Sequence, residues 1–267
     1  NIEEKAGLLW GQDLHDGTSA PVHCIQLEEI FKERWQNSLS GDLLEIGCGS
    51  GSDLEFFSEQ KLISNIVAID LGLNVIDLAQ KYQNREDISV QQGNALSLKF
   101  KEETFDTIYS YGVFHHTADP IKCLQEAHRV LKRSGKMFLY LYGSHENNII
   151  KRVGVSIEGF IMAVFSRMPY SLQNIFCYLI SPVCWFIFTL PSNLLRLVGL
   201  KVLAKKFPFY FGGHPFSLTN DLKDRLMSPV NHRFTKKNLE QILLSNHFQS
   251  FDVVRTSAGL YVYAEKS

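Results

Sequence analysis

The sequence predicts an α/β fold, a doubly wound and mostly parallel sheet with helices on both faces and an apolar helical insertion. Two observations lead to this prediction. Short apolar runs alternate with stretches of helical periodicity between residues 41 and 143, and a glycine-rich turn follows the first run. Since parallel strands need crossover connections, usually helices, a chain that alternates in this way forms a sheet covered on both sides.

The composition is that of a packed globular protein. Of the 267 residues, 45% are hydrophobic and 21% are charged, and the formal net charge is −1. This balance excludes a disordered chain and argues against charge-driven binding of nucleic acid. The five cysteines lack C-x-x-C or Cys/His metal spacing, and the N-terminus lacks a signal pattern, so we expect a cytoplasmic protein without a metal.

The elements of the core follow from local patterns. Residues 26–35 predict a helix that leads into the first strand, and Ser52 or Asp53 is the expected N-cap of the next helix. Asp119 followed by Pro120 predicts another helix start, and Ser134 lies in the turn before the fifth strand. The predicted strands are 43–46, 65–70, 88–92, 105–110 and 136–142, and the predicted helices between them are 53–59, 74–82 and 119–131.

The alternation stops after Gly143. Residues 145–206 predict two to four apolar helices punctuated by Pro169, Pro182 and Pro191, and residues 207–234 predict a loop. Thr235 then caps a helix to about residue 246, before a hairpin of strands 251–256 and 260–265. We therefore expect four parts: an N-terminal helical segment (1–40), a ligand-binding core (41–144), a helical cap or lid (145–230), and a helix and hairpin that complete the core (231–267).

One stretch of the insertion could suggest a membrane span. No charged side chain lies between Arg167 and Arg196, and residues 175–190 are almost wholly apolar. Sixteen residues at about 1.5 Å each give roughly 24 Å of helix, less than the ~30 Å hydrocarbon core. Pro182 lies near the middle and Pro191 at the end, so we do not expect a single transmembrane helix.

The glycine-rich turn is a candidate ligand site. Gly47, Gly49 and Gly51 follow a strand, and glycine permits positive φ and close approach of a ligand to backbone amides. Asp70, at the end of the second strand, can accept hydrogen bonds from two ribose hydroxyls, or it can cap the next helix. Ser52 stands where a dinucleotide-binding loop usually has glycine, which argues against a nicotinamide-dependent oxidoreductase.

Four ordered motifs resemble those of the class I S-adenosylmethionine (SAM)-dependent methyltransferases. They are Leu-Leu-Glu-Ile-Gly-Cys-Gly-Ser-Gly at 43–51, Ala-Ile-Asp at 68–70, Gly-Asn-Ala at 93–95 and the run from 105 to 116. The resemblance covers residues 40–143 and returns in the last helix and hairpin. It implies a seven-stranded sheet of order 3-2-1-4-5-7-6 with an antiparallel last strand, a methyltransferase activity, and conversion of SAM to S-adenosylhomocysteine without a metal.

The resemblance also implies contacts to the cofactor. The glycine loop would pack against the methionine and ribose parts, Asp70 would hold the ribose hydroxyls, and Asn94 would replace the usual aspartate at the adenine amino group. The full set of cofactor-binding residues that it implies is Glu45, Gly47, Cys48, Gly49, Gly51, Asp70, Leu71, Asn94, Ala95 and Tyr111.

Methyl transfer from a sulfonium needs alignment, exclusion of water and, for a weakly acidic acceptor, a base. His115 and His116 directly follow the fourth strand and are the candidate catalytic residues, although a double histidine there can also cap the strand. Asp119 is better explained as a helix cap. His214 and His232 could reach the same pocket.

The apolar insertion is expected to determine the acceptor. Its helices carry more apolar side chains than they can hide among themselves, so they form a cap with its own core, a lid over a lipid-like substrate, a homodimer interface or a peripheral membrane contact. We expect methyl transfer to an elongated, small-molecule or lipid-like acceptor, with O-methylation favoured over N- or C-methylation. A non-catalytic SAM-binding partner subunit and a nicotinamide-dependent oxidoreductase are the alternatives.

Overall fold

The computed structural model describes residues 22–146, 149–165, 167–209, 213–256 and 259–267. The chain divides into two compact units, one comprising Asn1–Gly143 with His232–Ser267 and the other Ser144–Asn231. We call them the sheet unit and the helical unit. The functional division into segment, core, cap and completing hairpin stays a prediction.

The sheet unit is built on one seven-stranded sheet of order β3-β2-β1-β4-β5-β7-β6. The pairs among β1 to β5 are parallel, and β7 runs antiparallel to both β5 and β6. The predicted order and the antiparallel last strand are therefore confirmed. The strands are β1 (Gly41–Ile46), β2 (Ile63–Asp70), β3 (Ile88–Gln92), β4 (Phe105–Tyr111), β5 (Leu131–Leu141), β6 (Phe248–Arg255) and β7 (Leu260–Lys266).

The helices are numbered in chain order through both units. The sheet unit holds α1 (Val22–Phe31), α2 (Glu33–Gln36), α3 (Ser52–Ser58), α4 (Val75–Lys81), a 3₁₀ turn (Phe114–His116), α5 (Pro120–Val130) and α11 (Lys236–Ser245). The helical unit holds α6 (Ile149–Phe165), α7 (Tyr170–Cys184), a π-helical turn (Trp185–Thr189), α8 (Leu190–Leu197), α9 (Lys201–Ala204) and α10 (Thr219–Met227).

Two predicted helix caps are confirmed and one is wrong. Asp119 accepts hydrogen bonds from the first-turn amides of α5, and the Thr235 hydroxyl accepts one from the amide of Asn238 in α11. In contrast, α3 begins after Gly51, which has φ 86°, and no side chain caps it. The turn predicted at Ser134 lies inside β5, which begins at Leu131 and not at residue 136.

Two hydrophobic clusters pack against the sheet. One includes Leu124 and Val130 of α5 with Leu239 and Leu243 of α11. The other includes side chains of α1 to α4, and within it Trp35 meets Phe138 edge to face at 4.8 Å between ring centroids. This second cluster holds α1 near the glycine loop, because Cys24 and Leu27 are buried in it together with Cys48 and Leu54.

In the helical unit, α7, the π-helical turn and α8 form one continuous helix from Tyr170 to Leu197. The predicted breaks at Pro182 and Pro191 are therefore wrong. Proline removes an amide donor and clashes with the carbonyl four residues earlier. The wider π-helical turn directly before Pro191 relaxes that geometry, so the helix continues.

This helix is longer than the apolar stretch of 16 residues that the sequence analysis judged too short to cross a bilayer. By length and composition alone, Tyr170–Leu197 could cross a membrane: it has 28 residues and contains an 18-residue window with a mean hydropathy of 1.7. Within the described ranges it is the one helix of that kind. The segment 207–234, predicted as a loop, also contains α10, which packs against α6 and α7 and buries Leu222 and Leu226.

Candidate functional site

The candidate site lies at the carboxyl ends of β1 and β4. These two strands are neighbours, yet the chain leaves β1 towards β2 on one side and leaves β4 towards β5 on the other. At such a reversal of strand order the loops diverge and leave a crevice, which is where open α/β sheets bind ligands. The glycine loop after Ile46 and the turn at Gly112 border this crevice.

The three loop glycines all have positive φ, but a side chain at each position would meet different surroundings. A Cβ on Gly47 would lie 2.1 Å from Val113, and one on Gly51 would lie 2.5 Å from Leu78, so both positions are needed for packing within the chain. A Cβ on Gly49, which has φ 52°, would meet no described atom within 4 Å, and the same holds for Gly112. Space for a ligand therefore opens over Gly49 and Gly112.

Asp70 joins the end of β2 to the glycine loop. Its Oδ2 accepts a hydrogen bond from the Gly49 amide over 2.9 Å, and its Oδ1 accepts one from the Gly72 amide over 2.8 Å. Asp70 does not cap the next helix, whose N-cap is Asn74, and the Asn74 side chain donates to the Gly49 carbonyl. Burial raises the pKa of Asp70, while the backbone amides act in the opposite direction.

Glu45, Asp53 and Asp70 are buried carboxyl groups of this site. Glu45 is only 2% exposed, and its Oε2 has no hydrogen-bond partner among the described residues. Burial raises the pKa of Glu45 well above its usual range, and the charges of Asp53 and Asp70 add to the shift. Because like charges are concentrated where solvent is excluded, a positively charged ligand would stabilise the site.

The sequence interpretation missed the role of Asp53. The Tyr109 hydroxyl donates to Asp53 Oδ2 over 2.8 Å, the Cys24 thiol donates to Oδ1 over 3.4 Å, and His23 Nδ1 lies 3.2 Å from Oδ2. Asp53 therefore connects α1, α3 and β4 beneath the glycine loop. The sequence feature that could have indicated this role is an acidic residue in the first turn of a helix whose other side chains must pack on the sheet.

The remaining predicted cofactor residues lie on loops beside β2 and β3 or within the glycine loop. Asn94 Oδ1 accepts a hydrogen bond from the Leu96 amide over 2.9 Å, and Ala95 is buried. The Leu71 carbonyl accepts one from the Gln92 side chain. Cys48 is 5% exposed and burial raises its thiol pKa, which agrees with a packing residue better than with a nucleophile. Their contacts to a cofactor stay predictions.

An aromatic cluster lines the ends of β4, β5 and β7. The ring of Tyr111 lies between the ring of His23, at 4.1 Å, and that of Tyr140, at 4.3 Å. The hydroxyl groups of Tyr111 and Tyr261 both donate to the side-chain oxygen of Gln26. The sequence indicated Tyr111 only through its backbone, because the stacking partners come from distant segments.

The predicted catalytic histidines are buried in the 3₁₀ turn after β4. His115 stacks on Tyr142 with 3.9 Å between centroids, and its ring lies 4.2 Å from that of His116. The His232 amide donates to the His115 carbonyl over 2.8 Å, and His232 Nε2 is buried without a hydrogen-bond partner in the described part of the chain. The structure thus brings three of the four candidate histidines together, and His214 lies in the helical unit.

The described residues contain no group of three or more His, Cys, Asp or Glu side chains that could hold a metal ion. The crevice combines backbone amides, buried carboxyl groups and open space. This arrangement suits a cationic ligand better than an anionic phosphate.

Comparison with known proteins points to one domain type. A family described as "Methyltransferase domain" matches residues 44–139. The chain is 30% identical over 158 residues to a demethylmenaquinone methyltransferase from Lactobacillus johnsonii, covering 52% of this chain and 65% of that protein. It is 25% identical over 146 residues to a ubiquinone biosynthesis O-methyltransferase from Actinobacillus pleuropneumoniae, covering 51% of this chain and 60% of that protein.

The chain therefore spans less than two thirds of the length of each of these two relatives. Among solved structures, a putative SAM-dependent methyltransferase from Methanococcus maripaludis superposes with a TM-score of 0.51 at 16% identity, covering all of this chain and 91% of that one. This similarity concerns the fold.

Proposed function

We propose that this chain, whose core at residues 44–139 belongs to the class I SAM-dependent methyltransferases, transfers a methyl group from SAM to a small-molecule acceptor. Two observations carry the proposal: the open space over Gly49 and Gly112, and the buried carboxyl oxygen of Glu45 that has no hydrogen-bond partner among the described residues. SAM carries a sulfonium and an ammonium group, and it therefore matches the excess of buried carboxyl groups.

The residues present fit this cofactor. Asp70 accepts hydrogen bonds from the Gly49 and Gly72 amides, and because a carboxylate offers about four lone-pair sites, it keeps acceptor capacity for ribose hydroxyl groups. Asn94 keeps acceptor capacity at its amide oxygen for an adenine amino group. We assign Glu45 to the cationic part of the cofactor and the loop from Gly47 to Gly51 to its methionine and ribose parts.

SAM, when bound, supplies an electrophilic methyl group. The chain's own residues must then hold the acceptor in line, exclude water and remove a proton where the acceptor needs it. We place the proton acceptor among His115, His116 and His232, because these residues lie together at the end of β4. Neutral histidine is suited to this task near pH 7.

We propose a lipid-like acceptor with a flat ring, and O-methylation ahead of N- or C-methylation. The support is the apolar, aromatic character that Tyr111, Tyr140 and Tyr142 give to the ends of β4 and β5. The names of the two relatives, which refer to demethylmenaquinone and to ubiquinone biosynthesis, favour a quinone-type ring as the first acceptor to test. A cytoplasmic location fits the five free cysteines.

Titration calorimetry with SAM, S-adenosylhomocysteine and NAD tests the cofactor assignment. Gly49→Asn adds a side chain in open space, and asparagine tolerates positive φ, so this variant should remain folded and lose SAM binding. Gly199→Asn is the matched control, because Gly199 also has positive φ and open space but lies in the helical unit. Unchanged SAM binding by Gly49→Asn, or binding of NAD and not SAM, would overturn the assignment.

Turnover is tested by incubating the protein with SAM and with hydroxylated quinones, followed by detection of S-adenosylhomocysteine and the methylated product. Product formed only when an acceptor is present supports the proposal. SAM binding without product for any acceptor class would instead support the non-catalytic partner subunit.

A further inference from the structure

The long helix Tyr170–Leu197 is inverted relative to a helix on the surface of a globular protein. Its inward side carries small hydroxyl residues, and Ser181, Thr189 and Ser192 are all fully buried. Each hydroxyl donates to a backbone carbonyl within the helical unit, at Pro215, Phe209 and Ala204 respectively. Its outward side is apolar and exposed: Leu172, Ile175, Phe176, Leu179, Val183, Phe186, Ile187, Leu194 and Leu197.

These outward residues recur mostly at three- or four-residue spacing, so they form a single stripe along the helix. Leu179 is 65% exposed and Leu197 is 83% exposed. A water-facing helix has its apolar stripe buried and its polar side chains outside. The inverted arrangement indicates that the surroundings of this helix are apolar.

The helix α6 has a second stripe of the same kind. Phe160, in the second half of this helix, is 73% exposed. The other exposed apolar residues of this stripe are Ile149, Val153, Ile157 and Val164. Monomeric water-soluble proteins rarely leave large continuous apolar patches uncovered, so two such stripes on one unit mark a surface that binds an apolar partner.

The charged residues of the segment that carries the two stripes are mostly basic. Between Glu146 and Asp221 the acidic residue is Glu158, and the basic residues are Lys151, Arg152, Arg167, Arg196, Lys201, Lys205 and Lys206. The rest of the chain is acidic, because the whole chain has a net charge of −1. Arg196, Lys201, Lys205 and Lys206 are exposed at and beyond the end of the long helix.

We propose that the apolar stripes of α6 and of the Tyr170–Leu197 helix bind an anionic lipid bilayer, with the flanking basic side chains at the lipid headgroups. This inference goes beyond the proposed methyl transfer and does not depend on it. Apolar area together with lysine and arginine is what holds interfacial helices to anionic membranes. A second copy of the chain fits less well, because lysine is depleted at protein interfaces and equal charges on two copies would repel.

The long helix lies in the membrane interface and does not span the bilayer. Its buried hydroxyl groups bond to segments around Ala204, Phe209 and Pro215, and residues 205–209 and 213–218 lie outside the helices. A spanning position would carry this irregular backbone, together with Lys205 and Lys206, into the hydrocarbon region, which such groups avoid.

Flotation with vesicles of phosphatidylcholine, with and without phosphatidylglycerol, tests the proposal on the full chain. The wild type should float with the anionic vesicles. The double variant Leu179→Glu/Phe186→Glu, which adds charge to the stripe, should lose flotation. The matched control is Leu62→Glu/Leu244→Glu, two equally exposed leucines of the sheet unit, and it should float as the wild type does. Circular dichroism checks that each variant keeps its helical content.

A separate variant tests the contribution of the basic residues to membrane binding. Replacing Lys201, Lys205 and Lys206 by glutamine should weaken binding to the anionic vesicles by about fivefold per lysine. The control replaces Lys61, Lys99 and Lys101 of the sheet unit and should leave binding unchanged. SAM binding, measured separately, should be the same in all these variants, which separates this test from that of the proposed function.

Three results would overturn the proposal. The first is flotation of the stripe variant equal to that of the wild type. The second is resistance of the bound protein to extraction by alkaline carbonate, which indicates a spanning helix. The third is a dimer, seen by analytical ultracentrifugation without lipid and dissociated by Leu179→Glu/Phe186→Glu, because a second copy would then cover the stripes.

Discussion

The hydroxyl of Tyr109, on β4, donates a hydrogen bond to the carboxylate of Asp53, on α3, over 2.8 Å in a region closed to solvent. Tyr109 is 1% exposed, and burial next to Asp53 raises its pKa well above the usual range. The hydroxyl therefore stays protonated as a donor. This contact fastens the helix that follows the glycine loop to the strand that borders the crevice.

Tyr109→Phe should lower the free energy of unfolding by about 1–3 kcal/mol, because it removes a donor from a buried carboxylate. Denaturant unfolding measures the change. Tyr178→Phe is the control, since Tyr178 is exposed in the helical unit and its replacement should shift the free energy by less than about 0.5 kcal/mol. Equal unfolding curves for Tyr109→Phe and wild type would show that the hydrogen bond adds no net stability.

Glu45→Gln should stabilise the cofactor-free protein at neutral pH and weaken SAM binding. The folded-state pKa of Glu45 is raised, so between its usual value of 4.5 and the raised value the folded state holds more protons than the unfolded state. The free energy of unfolding therefore falls as pH rises through this window, by about 1.4 kcal/mol per unit of pKa shift. Glutamine at this position does not ionise, so the variant does not lose free energy of unfolding as the pH rises.

Thermal unfolding across the pH range measures the effect. The advantage of Glu45→Gln should disappear as the pH approaches the ordinary glutamate pKa. Wild-type SAM affinity should decrease when the pH is lowered through the raised pKa, because protonation removes the charge that attracts the cation, and the variant should lose this dependence. Glu59→Gln, at an exposed position, should change neither property. A variant less stable than wild type at neutral pH contradicts the prediction.

Asp70→Ala should reduce SAM affinity by roughly 2–3 kcal/mol, through loss of a charged, bidentate acceptor. The same change frees the Gly49 and Gly72 amides, so it should also loosen the glycine loop. Calorimetry measures the affinity, and Asp77→Ala, on the exposed side of α4, is the control. An unchanged dissociation constant would remove Asp70 from the cofactor site.

His115→Ala, His116→Ala and His232→Ala, made singly, should separate the base from its neighbours. Loss of the base should lower kcat by about 10²–10⁴-fold with little change in SAM affinity. The exposed His247 provides the control substitution. Full turnover in all three variants would mean that none of them is the base. A fall in SAM affinity together with kcat would indicate damage to the crevice from the loss of a buried ring.

The sequence predicted the core of the sheet unit well. Apolar runs, glycine at turns, and caps such as Asp119 and Thr235 depend on neighbours a few residues away, and the structure has these elements within a few residues of their predicted bounds. The helical unit was predicted less well. The ends assigned at Pro182 and Pro191 were wrong: Pro182 lies inside a helix, and a π-helical turn before Pro191 accommodates that proline in a way that local propensity does not express.

By itself the sequence determined the strand and helix alternation, the glycine loop and the acidic end of β2, since periodicity and backbone freedom are properties of local sequence. Only the tertiary structure decided that Asp53 bonds to Tyr109, that Tyr111 stacks between His23 and Tyr140, and that the long helix turns its hydroxyl groups inward. These contacts join residues far apart in the chain, and which residues meet depends on the packing of whole elements.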